Sequence, residues 1–122
     1  MEHHVLATRG VGGYRQYRIP GMGVTTSGRI IAVYDGRPDL DDLPSPVDVV
    51  IRTSDDHGKS WSQQKVLFQS SDVLGYGDPS VIIDPSIGKY GRIIVMVQRT
   101  ELAGFFESAL GSDEKDPNKI GR

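Results

Sequence analysis

Ser54-Asp55-Asp56-His57-Gly58-Lys59-Ser60-Trp61 lies between two short apolar runs, Val47 to Thr53 and Lys65 to Phe68, and is expected to form the turn of a β-hairpin. In the spacing Ser54-x-Asp56-x-Gly58-x-Ser60-Trp61 each residue has a structural task. A short carboxylate at Asp56 can accept backbone N–H bonds across the turn, Gly58 can take positive φ without a Cβ clash, and Trp61 offers a large apolar face to the sheet. His57 takes a variable, water-exposed position. The turn is therefore expected to be architectural, since a catalytic Asp56 would have to face a pocket.

Outward from this turn, the sequence is punctuated by 15 glycines and 7 prolines among 122 residues, too many breakers for long helices. The fold class is all-β. Strands are expected over Arg18 to Thr25, Arg29 to Tyr34, Val47 to Thr53, Lys65 to Phe68, Ser80 to Asp84 and Arg92 to Gln98, each bounded by Gly, Pro, Ser or Asp. Thr25-Thr26-Ser27-Gly28 joins the first two strands, and Pro85-Ser86-Ile87-Gly88-Lys89-Tyr90-Gly91 holds the same place between the last two. The unit strand, Gly-bearing turn, strand thus occurs twice.

Its first copy continues into a four-stranded meander, and its second stops after two strands. Residues Gly111 to Arg122 follow as a polar tail. Four strands per unit, repeated in series, is the sequence form of a β-propeller blade, and about four or more blades are needed for closure. The expectation is an N-terminal part of a single propeller domain across 1–122, with blade 1 at about 14–70 and the start of blade 2 at about 74–110. The remainder of the domain would be needed for a closed fold.

Composition narrows the partners. With 37% hydrophobic and 25% charged residues and a formal net charge of -2, nothing favours nucleic acid or an anionic membrane. There are no cysteines, hence no disulfide framework or thiolate metal site. No apolar stretch approaches a membrane span and no signal peptide is visible. His3-His4 is too short to be a metal site, and Gly10-Val11-Gly12-Gly13 precedes a strand, not the helix of a nucleotide-binding turn. No cofactor or metal is expected.

The Ser54 to Trp61 pattern resembles the Asp-box of sialidases and related propellers, and Tyr17-Arg18-Ile19-Pro20 is similar to the Arg-Ile-Pro motif of the sialidase (neuraminidase) family. The resemblance covers Arg9 through the Gln98 region. It implies a six-bladed propeller and a retaining exo-α-sialidase, a glycoside hydrolase releasing terminal sialic acid from sialylated glycoconjugates. A secreted or cell-surface protein would be expected from the family.

Arg18 would then be one of three arginines gripping the substrate carboxylate, through paired charge-assisted hydrogen bonds that lysine cannot reproduce. Arg37, in Tyr34-Asp35-Gly36-Arg37-Pro38, would bind a polar group on the sugar ring; the alternative is an arginine paired locally with Asp35 or Asp39. The loop Asp39-Leu40-Asp41-Asp42-Leu43-Pro44-Ser45-Pro46 stands where the family carries its general acid/base. Asp42 is the best match, ahead of Asp41 and Asp39, and loop closure could desolvate it. A solvated acidic turn or a calcium loop are the alternatives.

Asp78, in Leu74-Gly75-Tyr76-Gly77-Asp78-Pro79-Ser80, opens a strand as Arg18 does and should reach the same pocket, unless it is a strand-initiating turn residue. Ala103-Gly104-Phe105-Phe106 either lines the pocket or joins a core. The family's tyrosine nucleophile, its glutamate and two further arginines have no counterpart here. Sialidases depart from the two-carboxylate scheme because a carboxylate nucleophile would be repelled by the substrate's own carboxylate. Two other readings stay open: a non-catalytic sialic-acid- or carbohydrate-binding Asp-box propeller, and an Asp-box hydrolase of different chemistry.

Overall fold

Alternation along the strands decides which side chains are buried. The computed structural model describes residues 3–89 and 91–101. Six strands follow in order: β1 (Gln16–Val24), β2 (Ile30–Arg37), β3 (Asp48–Ser54), β4 (Lys65–Phe68), β5 (Leu74–Asp84) and β6 (Arg92–Glu101). They form a four-stranded antiparallel sheet, β1-β2-β3-β4, and a two-stranded antiparallel sheet, β5-β6. All six expected strands are present, and the four-plus-two division matches the expected one and a half blades. The polar tail and the Ala103 to Phe106 segment lie outside the described residues.

At four boundaries pairing continues two residues or more past the sequence expectation, in β2 and β5 through residues that look like turn formers; β6 runs on to Glu101. β1 begins at Gln16, β2 runs on through Asp35-Gly36-Arg37, and β5 begins at Leu74. Asp78 therefore does not open its strand. It lies inside β5, at a bulge between Gly77 and Ser80.

The two sheets share this bulge. In β1 the register shifts between Arg18 and Gly21, where Ile19 has a φ of 50° and precedes Pro20; in β5 Asp78 has a φ of 52° and precedes Pro79. A non-glycine residue at positive φ, and before proline, is strained. The step before each bulge pairs Arg18 with Asp35 and Gly77 with Gln98. By register, Asp78 is thus the counterpart of Ile19, and Gly77 that of Arg18.

β2 is covered on both faces, which explains its unbroken apolar run. On one face Ile31 and Val33, with Val49 of β3, pack against Tyr76, Val81 and Ile83 of β5 and Val95 and Val97 of β6. On the other, Ala32, Tyr34 and Val50 are covered by Leu6, Ala7, Tyr14, Tyr17 and Trp61. Close approach of the sheets depends on glycine. A Cβ on Gly21 would stand 2.8 Å from the Pro79 carbonyl oxygen, and one on Gly23 2.7 Å from Val81 Cγ1.

The Ser54 to Trp61 turn has the expected form. Ser54 and Ser60 hydroxyls donate to Asp56 over 2.8 and 2.6 Å, the Ser60 N–H donates to Asp56 Oδ1 over 2.8 Å, and the Gly58 N–H donates to Ser54 Oγ over 2.9 Å. These donors hold the Asp56 carboxyl far below the usual carboxylate range, the Ser60 hydroxyl contributing most. Gly58 has a φ of 86°, and His57 before it is also positive at 60°. The Trp61 indole donates to the Gly58 carbonyl at 3.1 Å. Asp55 adds an exposed bidentate pair with Arg29, at 2.6 and 3.0 Å.

Candidate functional site

Strand register separates the box from the other candidates. Ser54, which opens the box, pairs with Ile30 at the start of β2, whereas Arg37, Asp35 and Arg18 lie at the other end of the same sheet. Asp56 therefore faces no group at that end, in keeping with an architectural turn.

At that other end, Asp35 and Arg37 are two apart in β2 and point to the face that also carries Ile31 and Val33. Sheet packing buries both: Arg37 is 1% exposed and Asp35 0%. The Asp35 Oδ2 accepts from Arg37 Nε at 3.2 Å and Nη2 at 2.7 Å. A charge pair this deep is held only if its remaining hydrogen-bonding positions are also filled. Asp35 Oδ1 meets that need by accepting the Asp78 N–H of β5 at 3.1 Å. Burial pushes the Asp35 carboxyl above its ordinary range, while the Arg37 guanidinium and the Asp78 N–H pull it back.

The outer nitrogen of Arg37 reaches the acidic loop. Its Nη1 is 3.0 Å from Asp42 Oδ1 and donates to the Asp41 carbonyl at 3.4 Å. Asp42 is the aspartate of this loop whose carboxylate meets Arg37; its side chain is 70% exposed. Asp39 instead organises the loop, accepting from the Asp41 N–H at 2.9 Å and from the Ser45 hydroxyl at 3.3 Å. The loop lies on β5: a Cβ on Gly75 would overlap the Ser45 carbonyl oxygen, and one on Gly77 would be 3.1 Å from Leu43 Cδ1. The Tyr76 N–H donates to the Val47 carbonyl at 2.8 Å, closing this junction. The Leu43-Pro44 peptide is cis.

Arg18 is exposed, stands opposite Asp35 in the ladder and so shares its face. Among the described residues no ion-pair partner holds its guanidinium, which leaves its fork open to an anion from solvent. Asp78 is exposed as well, and its positive φ turns it at the bulge.

All four residues singled out from the sequence thus surround Asp35: Arg18 by register, Arg37 by ion pair, Asp42 through Arg37, and Asp78 through its backbone. Asp35 itself was legible only as one possible local partner of Arg37. The available signal was its phase with Ile31 and Val33, which places an acid on the buried face of a strand. Among the described residues no three His, Cys, Asp or Glu side chains gather to hold a metal ion, and no helix is long and apolar enough to cross a membrane.

A sialidase from Micromonospora viridifaciens is 38% identical over 118 residues, 94% of this chain and 18% of that protein. The chain belongs to the sialidase family. A second sialidase, from Bacteroides fragilis (strain YCH46), is 34% identical over 76 residues, covering 56% of this chain and 14% of its own. No family model matches the chain. Among solved structures, the Hadza microbial sialidase Hz136 superposes with a TM-score of 0.65 at 32% identity, over 73% of this chain and 18% of its own. The NanB sialidase from Streptococcus pneumoniae, solved with 2-[(3-chlorobenzyl)ammonio]ethanesulfonate, gives a TM-score of 0.71 at 19% identity over 83% of this chain, a likeness of fold. This sialidase-family chain spans under a fifth of the length of these relatives.

Proposed function

We propose that the chain contributes one and a half blades and part of the substrate pocket to a retaining exo-α-sialidase acting on sialylated glycoconjugates. The observation that carries the reading is the gathering of Arg18, Arg37, Asp42 and Asp78 around Asp35. Supporting a larger propeller, Ile82 and Met96 lie 47% and 54% exposed on β5 and β6. They sit on the face turned away from the first sheet, where a further blade would cover them.

In this reading the unpaired guanidinium of Arg18 binds the carboxylate of sialic acid by two parallel hydrogen bonds. Arg37 is fixed by Asp35, and a polar ring substituent meets its Nη1 by taking the place that the Asp42 carboxylate holds there. Asp42, exposed on its loop, gives a proton to the glycosidic oxygen as the bond to the anomeric carbon breaks, and in the second step takes one from the attacking water. Asp78 supplies a carboxylate to the ring's hydroxyl or amide donors. The nucleophilic tyrosine, its glutamate and two further carboxylate-binding arginines belong to other blades, so the 122-residue chain alone is expected to release no sialic acid.

The test is Arg18→Ala in the full-length protein, with release of sialic acid from a sialoside as the readout. Loss of turnover with an unchanged melting temperature is the expected result. Unaltered binding and turnover would overturn the assignment.

A further inference from the structure

The geometry points to Asp35 as a positioning residue: its one buried carboxylate fixes the Arg37 guanidinium and the bulged backbone at Asp78 together, setting the spacing of the pocket's basic and acidic groups across two sheets. This inference rests on the sialidase reading for its consequence in catalysis, but not for its structural part.

Three observations carry it. Asp35 is fully buried yet satisfied, with Oδ2 on Arg37 and Oδ1 on the Asp78 N–H, so both oxygens are engaged by groups of different sheets. The Asp78 bulge is strained, with a φ of 52° before proline, and a conformation of that kind persists only where its surroundings over-determine it. The hydrogen bond from the Asp78 N–H is such a constraint, and β1 offers the contrast: Ile19, the counterpart of Asp78 by register, makes no such bond to a carboxylate among the described residues. Finally, Arg37 has its Nε and Nη2 taken by Asp35. That leaves Nη1 directed at the acidic loop, 3.0 Å from Asp42. Without Asp35, the arginine loses the partner that selects which nitrogen faces the acidic loop, and its buried charge keeps the exposed Asp42 as counter-ion but not the buried one.

Asp35 has no path to a substrate of its own, since Arg37 and the β5 bulge lie over it. Its effect on turnover must pass through Arg37 and Asp78, and this makes it separable from a general loss of folding. Because part of its effect runs through Arg37, removing it matters less where Arg37 is absent.

The experiment uses the full-length protein in four forms: wild type, Asp35→Asn, Arg37→Gln, and the double variant. Steady-state hydrolysis of a sialoside is measured alongside hydrogen exchange of peptides spanning β5. We expect Asp35→Asn to raise KM about tenfold or more with a smaller change in kcat, and to cause a clearly smaller loss in the Arg37→Gln background, where only the part that passes through Asp78 remains. Amide protection at Asp78 should fall in Asp35→Asn and the double variant but persist in Arg37→Gln. Unchanged protection at Asp78, or equal losses of kcat/KM with and without Arg37, would overturn the proposal. Should the wild type hydrolyse no sialoside, the sialidase reading fails, and the exchange result alone upholds or overturns the link from Asp35 to β5.

Discussion

The Asp78 N–H donates to the Asp35 carboxylate across the gap between the two sheets, at 3.1 Å. This bond is possible only because the sheets meet at glycines. Gly21 of the first bulge faces the Pro79 carbonyl oxygen of the second, where a Cβ would be 2.8 Å away. Its obstacle is backbone, not the end of a flexible side chain. Gly21→Ala should therefore separate the two bulges and cost about 1–3 kcal/mol, the usual range for overpacking. Denaturant unfolding of the full-length protein provides the measurement; a stability within about 0.5 kcal/mol of wild type would contradict the close approach.

Arg18 should be intolerant of lysine. The substitution keeps the charge and removes the fork, losing part of a bidentate grip whose charge-assisted bonds contribute about 1.5–3 kcal/mol each. Arg18→Lys is thus expected to raise KM for a sialoside by about tenfold or more. Its melting temperature should be unchanged, because Arg18 is exposed and its guanidinium has no ion-pair partner among the described residues. Kinetics on the purified variant, with a melting curve beside them, decide the point.

Asp41 and Asp42 can be told apart by the leaving group. Asp42 is the one whose carboxylate meets Arg37, while Asp41 offers Arg37 its backbone carbonyl. General acid catalysis contributes about 10²–10⁴-fold, and matters most when the departing oxygen is a poor leaving group. Asp42→Asn should reduce turnover of a sialyl-sugar by that factor and of an aryl sialoside much less. Asp41→Asn should leave the ratio of the two rates near wild type. The reverse pattern would move the acid role to Asp41.

The box carries a pH signature of its own. Hydrogen bonds from the Ser60 hydroxyl and N–H and from the Ser54 hydroxyl hold the Asp56 carboxyl below its ordinary value. A folded-state pKa below the unfolded one stabilises the protein at every pH above the unfolded value of about 3.9, and the contribution is lost as pH falls through the lower folded value. Asp56→Ala should accordingly destabilise the protein at neutral pH and flatten the acid limb of its stability curve. Because Asp56 lies at the opposite sheet end from Arg18 and Arg37, kcat/KM per folded molecule should not change. Melting temperatures from pH 3 to 7, with kinetics at pH 7, test both halves.

The hairpin turns and the strand count were legible from residue order because those features are local. Thr25-Thr26-Ser27-Gly28 closes with the Gly28 N–H on the Thr25 carbonyl at 2.9 Å and a glycine φ of 84°, as glycine at a turn demands. The box needs only residues within eight positions of one another. The strand limits were less legible: Asp35-Gly36-Arg37 and Leu74 to Gly77 look like turns by composition, yet are held in ladders by partners supplied from elsewhere in the chain.

For the candidate site the division is sharper. Residue order by itself determined the repeated strand-turn-strand unit and the form of the box, and its resemblance to the sialidase family singled out Arg18, Arg37, Asp42 and Asp78. Only the tertiary structure decided that Asp35 joins them, that Arg37 is buried while Arg18 is open, and that Asp78 matches Ile19 in register. The reason is physical. Whether a strand carboxylate is solvated or buried depends on what packs over its face. Here that cover is β5, whose N–H reaches Asp35 from 43 residues away along the chain.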